Sequence, residues 1–519
     1  MSYDVSKSKI FRNQNIKKNK LKIELQSLNH KILKQIFSNY FQFYEIPKLN
    51  LRILNKDKQN IISSYNKVQK VLNEDKKVYG INTGFGKLYD IIINKQDLKE
   101  LQNNLVYSHF AGYGPEIDDI FSITTILIRL KQLSLGYSGV SLELIEYMKK
   151  FIEKGYISFI PAYGSVGGSG DLIPLASIAA SFIKANKIKN LKNYSNFKVY
   201  EFKPKEALAF INGVAFSLAL FSFGLFLLEK LINYSNLIFV ISLIANNVNY
   251  EHFNLNISNT RKNKFFLYVL KDINKLLKDF LVDLYKDYYL QAPYSYRCYP
   301  QILESFLLVL DISKKIVDDE LNTVSDNPLV IEDNFYSAGN FHGNTISTFS
   351  DHLKLHIFQL SNMSYERQNH LLNPDFLTSK PGLSSGFMIS HYLTSHILAE
   401  LKIYTNYVSV NNYPVSLNQE DFITHSELST KNLLKSIKLT FKILTIELIM
   451  AIQKLKLKNI NINETNFKNE LLKYFEARIL NELNNFPIKD DLDLHKKYTN
   501  LYNLHSTFID NLKFIKFKI

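Results

Sequence analysis

Apolar side chains recur at helical spacing through most of the chain. Between Ser429 and Lys458, Leu433, Ile437, Phe441, Leu444, Leu448, Ile452 and Leu455 stand alternately four and three residues apart, which places them on one face of a helix. Asp119–Leu135, Tyr299–Leu321 and Ser347–Leu372 carry the same period and are predicted as helices. Strand signals are short and local, and Leu329–Tyr336, with Asp333-Asn334 near its middle, predicts a hairpin. No internal repeat and no alternation of strands with helices is present, which argues against a doubly wound nucleotide-binding sheet.

Two stretches are apolar on every side. Ala207–Leu228 carries no charge and is long enough to span a bilayer, but it contains Asn212, Gly213, Ser217, Ser222 and Gly224. A second uncharged run, Leu231–Tyr250, follows after only Glu229 and Lys230, a poor connection for a membrane hairpin. Both are expected to be buried helical sequence in a large bundle.

Composition agrees with a soluble globular chain: 519 residues, 46% apolar and 21% charged, leave ample material for a core. The formal charge of +15 comes almost wholly from lysine. Arg12, Arg52, Arg129, Arg261, Arg297, Arg367 and Arg478 are the only arginines, and a specific nucleic-acid reader spends arginine on phosphates and base edges. Together with abundant Lys, Asn and Ile, this reads as drift toward AT-rich codons, so neither a nucleic-acid nor a membrane partner is expected. The one cysteine, Cys298, excludes an internal disulfide and a cysteine metal centre, and a reducing cytosol fits. Met1–Lys22 is polar and lysine-rich, with no apolar core of a secretory signal.

Glycines cluster in few places, and the decisive one is Pro161-Ala-Tyr-Gly-Ser-Val-Gly-Gly-Ser-Gly-Asp-Leu-Ile-Pro174. Taken bare, this is a glycine-rich turn whose Asp171 could cap the next helix. A phosphate loop is disfavoured, because the lysine of that pattern is missing and no clear strand precedes it. A third reading accounts for the residue types. The Gly170 amide nitrogen can attack the carbonyl carbon of Gly168, since a residue without Cβ approaches with little steric cost. Loss of one water closes a five-membered ring, and loss of a second from Ser169 leaves an exocyclic methylidene. The side chains of proteins include no good electrophile, and a reaction that needs one normally requires a cofactor.

The loop Gly164-Ser-Val-Gly-Gly-Ser-Gly-Asp-Leu-Ile-Pro-Leu175 resembles the prosthetic-group loop of the aromatic amino-acid ammonia-lyases, which make 4-methylidene-imidazole-5-one (MIO) autocatalytically from Ala-Ser-Gly. Further segments resemble that family in order: Val78-Tyr-Gly-Ile-Asn-Thr-Gly-Phe-Gly86, Asn104-Leu-Val-Tyr-Ser-His-Phe-Ala-Gly112, Leu135-Gly-Tyr-Ser-Gly-Val140 and Glu206-Ala-Leu-Ala-Phe-Ile-Asn-Gly213. Gln291-Ala-Pro-Tyr-Ser-Tyr-Arg-Cys298, Ser325-Asp-Asn-Pro-Leu-Val330, Gly339-Asn-Phe-His342, Ser385-Gly-Phe-Met388 and Asn418-Gln-Glu-Asp421 complete the series. One match would mean little, but the ordered set is specific.

The resemblance implies an all-α fold of the ammonia-lyase/fumarase type, with an N-terminal domain over residues 1–200 carrying the loops and a helical bundle over residues 201–519. It implies a cytoplasmic homotetramer whose sites draw on three subunits, with no metal. Gly168, Ser169 and Gly170 would form MIO, and Tyr79 would take the β-proton. Arg297 would hold the substrate carboxylate, for which a planar guanidinium is well shaped. Tyr294 and Gln291 would line the group and the substrate, and Asn212 would bond the ring carbonyl oxygen. Phe341 would pack nearby, with His109 and Glu420 facing the substrate ring. Taken singly, each of these residues would be ordinary packing or surface chemistry. Ser108-His109 argues against phenylalanine, and Glu420 favours L-histidine as substrate and trans-urocanate as product. Tyrosine deamination and aminomutase chemistry are the alternatives, and a decayed, non-catalytic scaffold is a third. Two departures stand out. Gly168 occupies the usual alanine position, which is expected to slow maturation by widening the backbone ensemble. Tyr299 follows Arg297-Cys298, where glutamine is common.

Overall fold

The computed structural model describes residues 20–74, 76–190, 197–281 and 290–519. Most of the leading segment Met1–Lys22 therefore lies outside the described residues. Helix dominates, and among the described residues the only sheets are four two-stranded ribbons. The elements that matter for the site are α1 (Leu98–His109), β1 (Tyr113–Glu116), α2 (Asp119–Leu133), β2 (Pro161–Tyr163), α3 (Leu172–Phe182), α4 (Glu206–Ile211) and α5 (Ala215–Ala245). They continue with α6 (Tyr294–Arg297), α7 (Tyr299–Leu321), β3 (Leu329–Ile331), β4 (Asn334–Tyr336), α8 (Asn344–Leu372), α9 (Met388–Tyr404) and α10 (Ser426–Leu457).

The bundle is built on α5, α8 and α10, which pack against one another, with α7 and α9 outside them. Both uncharged runs of the sequence lie on this framework, but as one interrupted path rather than two helices. The first breaks at Asn212-Gly213-Val214, and α5 then continues through Glu229 and Lys230 without a turn. Glu229 is tolerated mid-helix because Lys34 and Lys314 pair with it at the edge of the bundle. The stretch from α4 through α5 is long and apolar enough to cross a membrane, and its most apolar window is entirely buried within the protein. Buried side chains on both sides of residue 200 belong to one continuous core.

The α10 helix departs from the single face its period predicts. Leu433 through Leu455 are buried as expected, but so are most residues on the other faces, including Glu427, Lys431 and Glu447. Four of its buried Ser and Thr hydroxyls, those of Thr430, Ser436, Thr440 and Thr445, bond back to the preceding turn, as Thr430 does to Ser426 O (2.8 Å) and Thr445 to Phe441 O (2.7 Å). That satisfies the donors without water. Glu447 is held by Arg367 Nε (2.6 Å) and Nη2 (2.9 Å) from α8 and by Ser242 Oγ (2.7 Å) from α5. One buried carboxylate thus ties the three central helices together. The hairpin is as predicted, with β3 and β4 antiparallel and Ile331 opposite Asn334.

His505 sits in a C-terminal helix with its Nε2 3.0 Å from Ser390 Oγ of α9. Burial pushes its imidazole down to about 4, while an unfolded chain titrates histidine near about 6.5. Between those values the unfolded state binds more protons. The stability from keeping His505 neutral is therefore full above about pH 6.5 and is lost as pH falls toward about 4. We expect His505→Asn to flatten the acid limb of stability by at most about 3 kcal/mol, read as melting temperature against pH. An unchanged slope would acquit His505.

Candidate active site

The glycine-rich loop lies between β2 and α3. A strand does precede it, but β2 has three residues and pairs antiparallel with β1, so this is not the strand–loop–helix of a phosphate site. Gly167 and Gly170 both take positive φ (68° and 77°). A Cβ on Gly170 would fall 2.6 Å from the backbone N and O of Gly213, which bars every other residue there.

A strap formed by residues 420–427 runs antiparallel to the loop and fixes it atom by atom. Glu427 accepts from the Ser165 amide. The His425 amide donates to Val166 O (2.8 Å), and Thr424 Oγ1 donates to Gly167 O (3.0 Å). From the other side Asn212 Nδ2 donates to Ser169 O (2.8 Å), and the Asp171 amide donates to Gly213 O (2.7 Å). Among the described residues no hydrogen bond engages Gly168 O or Gly170 N. The loop is pinned on both sides of the two groups that ring closure would join, and those two are left unengaged.

Asp171 stands at the N-cap position, just before α3, but its side chain makes no capping bond. Its carboxylate turns to α5 instead, accepting from Ser217 N (2.8 Å) and Ser217 Oγ (2.7 Å), and from Ser165 Oγ (2.9 Å). The break at Asn212-Gly213 leaves the first amides of α5 without helical partners, and a buried carboxylate answers them better than its own neighbours would. Burial pushes the Asp171 carboxyl up, against the bonds from Ser217 and Ser165 that pull it down. Burial likewise raises Glu427, opposed by Lys431, which also donates to Ala162 O. Arg129 is wholly buried and donates to Phe210 O (2.9 Å), Asn212 O (3.2 Å) and Ser325 O (2.6 Å). It closes the C-terminal end of α4 and fixes the backbone that carries Asn212. Asp171, Glu427, Lys431 and Arg129 were not legible as site residues. The one signal for the middle two is a Glu–Lys pair four residues apart in the first turns of α10.

Tyr79 and Glu420 join this cluster. The Glu420 carboxylate oxygen lies 3.0 Å from the point where a Cβ on Gly168 would stand. Burial pushes the Tyr79 phenol up, the Gly86 amide opposes this, and the Glu420 charge adds to the rise. The His109 ring is pushed down by burial, and its Nδ1 donates to Leu105 O (2.9 Å). A carbonyl only accepts, so Nδ1 carries the proton and Nε2 is left as the acceptor. The chain after His109 packs on Pro161 and Ile173, which flank the loop. Phe341 is half-buried in the turn whose Gly343 amide donates to Gly167 O (3.4 Å).

Gln291, Tyr294 and Arg297 are elsewhere. Tyr296 bonds Asn246, just past the end of α5, whereas Asn212 precedes its start. The 31 residues of α5 separate the two groups by about 45 Å at a rise of about 1.5 Å per residue. Gln291 and Tyr294 are exposed there, and the Arg297 guanidinium lies 4.9 Å from the Tyr294 ring with no carboxylate partner among the described residues.

The sequence pattern of the aromatic amino acid lyases matches residues 42–477. The chain belongs to that family. Its similarity to histidine ammonia-lyase of Legionella pneumophila is 34% identity over 415 residues, covering 76% of this chain and 82% of that one. To histidine ammonia-lyase of Caldanaerobacter subterraneus it is 30% over 417 residues, covering 77% and 82%. The crystal structure of histidine ammonia-lyase from Trypanosoma cruzi superposes with a TM-score of 0.77 at 26% identity, covering 95% of this chain and 94% of that one. Ergothionase from Treponema denticola shares the fold, with a TM-score of 0.84 at 22% identity over 96% of this chain and 100% of that one. The protein is thus a carbon–nitrogen lyase with the helical fold of this family.

For this lyase, Asn212→Ala removes the only side-chain bond to Ser169 O among the described residues. We expect turnover to fall about a hundred- to a thousandfold, with the circular dichroism of the helices unchanged. Turnover equal to the parent's would take Asn212 out of the site.

Proposed function

We propose that this lyase eliminates ammonia from L-histidine to give trans-urocanate, using MIO formed from Gly168, Ser169 and Gly170, as a cytoplasmic homotetramer. The observation that carries the substrate is the Glu420 carboxylate, held against Gly168 and close enough to Tyr79 to shift it. An ionised carboxylate only accepts, and an imidazole N–H only donates, so the two make a charge-assisted bond. The names of the curated relatives agree with this reading.

The loop fits the prosthetic group. Gly168 O and Gly170 N are unengaged while their neighbours are pinned, and Asn212 already bonds the Ser169 carbonyl that would become the ring carbonyl. When formed, MIO supplies an electrophile that makes the substrate amine a leaving group. The chain's own residues do the rest. Glu420 orients the imidazole, His109 Nε2 faces the ring as acceptor, and Phe341 excludes water. Arg297 of a second subunit binds the carboxylate, with Tyr294 and Gln291 beside it. Tyr79 takes the β-proton. Within one chain its phenol is pushed up, the wrong direction for a base, so the opposing positive charge has to arrive with the second subunit.

Four measurements test this. Purified protein assayed with histidine, tyrosine and phenylalanine should prefer histidine. Glu420→Gln should lose at least about ten- to a hundredfold in kcat/KM for histidine, and unchanged turnover would sink the substrate assignment. Ser169→Ala should abolish activity together with the two-water mass deficit, and substantial residual turnover would rule out MIO. Co-expression of Tyr79→Phe with Arg297→Gln, each inactive alone, should restore activity in mixed assemblies. Failure to complement would place both residues in one subunit's site.

A further inference from the structure

Gly168 is hemmed in on the side where a side chain would project. A Cβ there would stand 2.7 Å from Ile423 Cγ2 and 3.0 Å from the Glu420 carboxylate. The first contact is the harder one, because Cγ2 is the branch methyl on a β-branched residue and cannot swing aside as the end of a long chain can. Ile423 is fully buried, and its amide donates to Asn412 Oδ1 (3.1 Å), so its backbone is held as well. On either side of it the strap is already fastened to the loop, through Thr424 to Gly167 O and from Glu420 beside Gly168.

We propose that Ile423 is a positioning residue for ring closure. Its branch methyl fills the space that a side chain on residue 168 would fill, and it restores the restriction of the bend that glycine gives up. This rests on the MIO reading above. The covalent step balances without an oxidant. Gly170 N bonds the Gly168 carbonyl carbon, whose oxygen takes the Gly170 amide proton. That oxygen then leaves as water with the Ser169 amide proton, and a second water leaves from Ser169 Oγ with the Ser169 Cα hydrogen. The rate of the first bond depends on how often the two atoms are held in register. Glycine at 168 widens the backbone ensemble, and a methyl packed against it narrows the ensemble again from outside. Slow maturation, expected from glycine alone, is therefore offset by the strap. Residues 168 and 423 form one steric unit, and each is tolerated only with the other.

The test is a double-mutant cycle with Ile423→Leu, which keeps the carbon count of the side chain but moves the branch away from Cβ. Freshly translated full-length parent, Gly168→Ala, Ile423→Leu and the double variant are followed by intact mass, timing the loss of two waters, and by melting temperature. Gly168→Ala should mature about tenfold more slowly and melt lower, because its methyl meets Cγ2. Ile423→Leu should also slow maturation by about tenfold, with little change in melting. The double variant should recover both properties toward the parent. If Gly168→Ala matures at the parent rate, or the double variant is no better than Gly168→Ala, the steric unit does not exist. If Ile423→Leu alone leaves the rate unchanged, Ile423 is packing and not positioning. A parent that keeps its full mass overturns the MIO reading and the maturation role with it. In that case the melting temperatures still report separately on the steric pairing.

Discussion

The structure depends on one buried carboxylate. Asp171 leaves its own helix and answers the open amides of α5, the longest apolar element of the bundle, while holding Ser165 at the head of the loop. A helix broken at Asn212-Gly213 exposes amides that no water reaches, and an unanswered buried amide costs about as much as a lost hydrogen bond. The break is what lets the Asn212 side chain turn back to Ser169. The loop and the bundle therefore specify each other. The same carboxylate that ends the loop begins the helix on which the whole core is assembled.

The length of α5 then sets what one chain can do. Asn212 marks one end and the Arg297 segment the other. Rigid packing along α8 and α10 prevents the ends from approaching. The residues that would act on the reacting bonds are concentrated at the first end, and the cation suited to a carboxylate is at the second. Tyr294 is exposed, and among the described residues the Arg297 guanidinium has no carboxylate partner, as the proposed second-subunit role would require. On the proposed reading Ser108-His109 and Glu420 would face the substrate ring at the first end and Arg297 would anchor the carboxylate at the second, so the fold would separate substrate choice from substrate anchoring.

Much of this was legible in the sequence, and the boundary follows interaction range. Tyr299–Leu321 coincides with its predicted bounds, and α10 begins three residues before the predicted Ser429, because helical period is a local signal. The ordered motifs placed Tyr79, Asn212, Ser169 and Glu420 together without any geometry. What stayed hidden is long-range. Asp171 reads as a cap for its own helix, and only the fold reveals Ser217 as its partner. The α10 period marks one face, yet a central helix surrounded on several sides buries the others too, and Ser and Thr bonding to their own backbone make that possible. Ile423 reads as one more apolar residue until it is placed against Gly168.

The charges under the loop also fix how stability responds to pH. Asp171 and Glu427 both bond Ser165, both are pushed up by burial, and each charge disfavours the other. Lys431 offsets part of this at Glu427, and Arg129, pushed down to about 10 by burial, is itself raised by the charges of Asp326 and Asp171. A carboxyl whose folded value exceeds its unfolded one binds protons in the native state that the unfolded chain has released. Its contribution is full below the ordinary carboxylate range and declines as pH climbs toward the raised value. His505 acts in the opposite sense, since its contribution declines as pH falls. Protonation of the two carboxyls under the loop is thus favoured by folding where protonation of His505 is opposed by it, and the two sets tilt stability against pH in opposite directions.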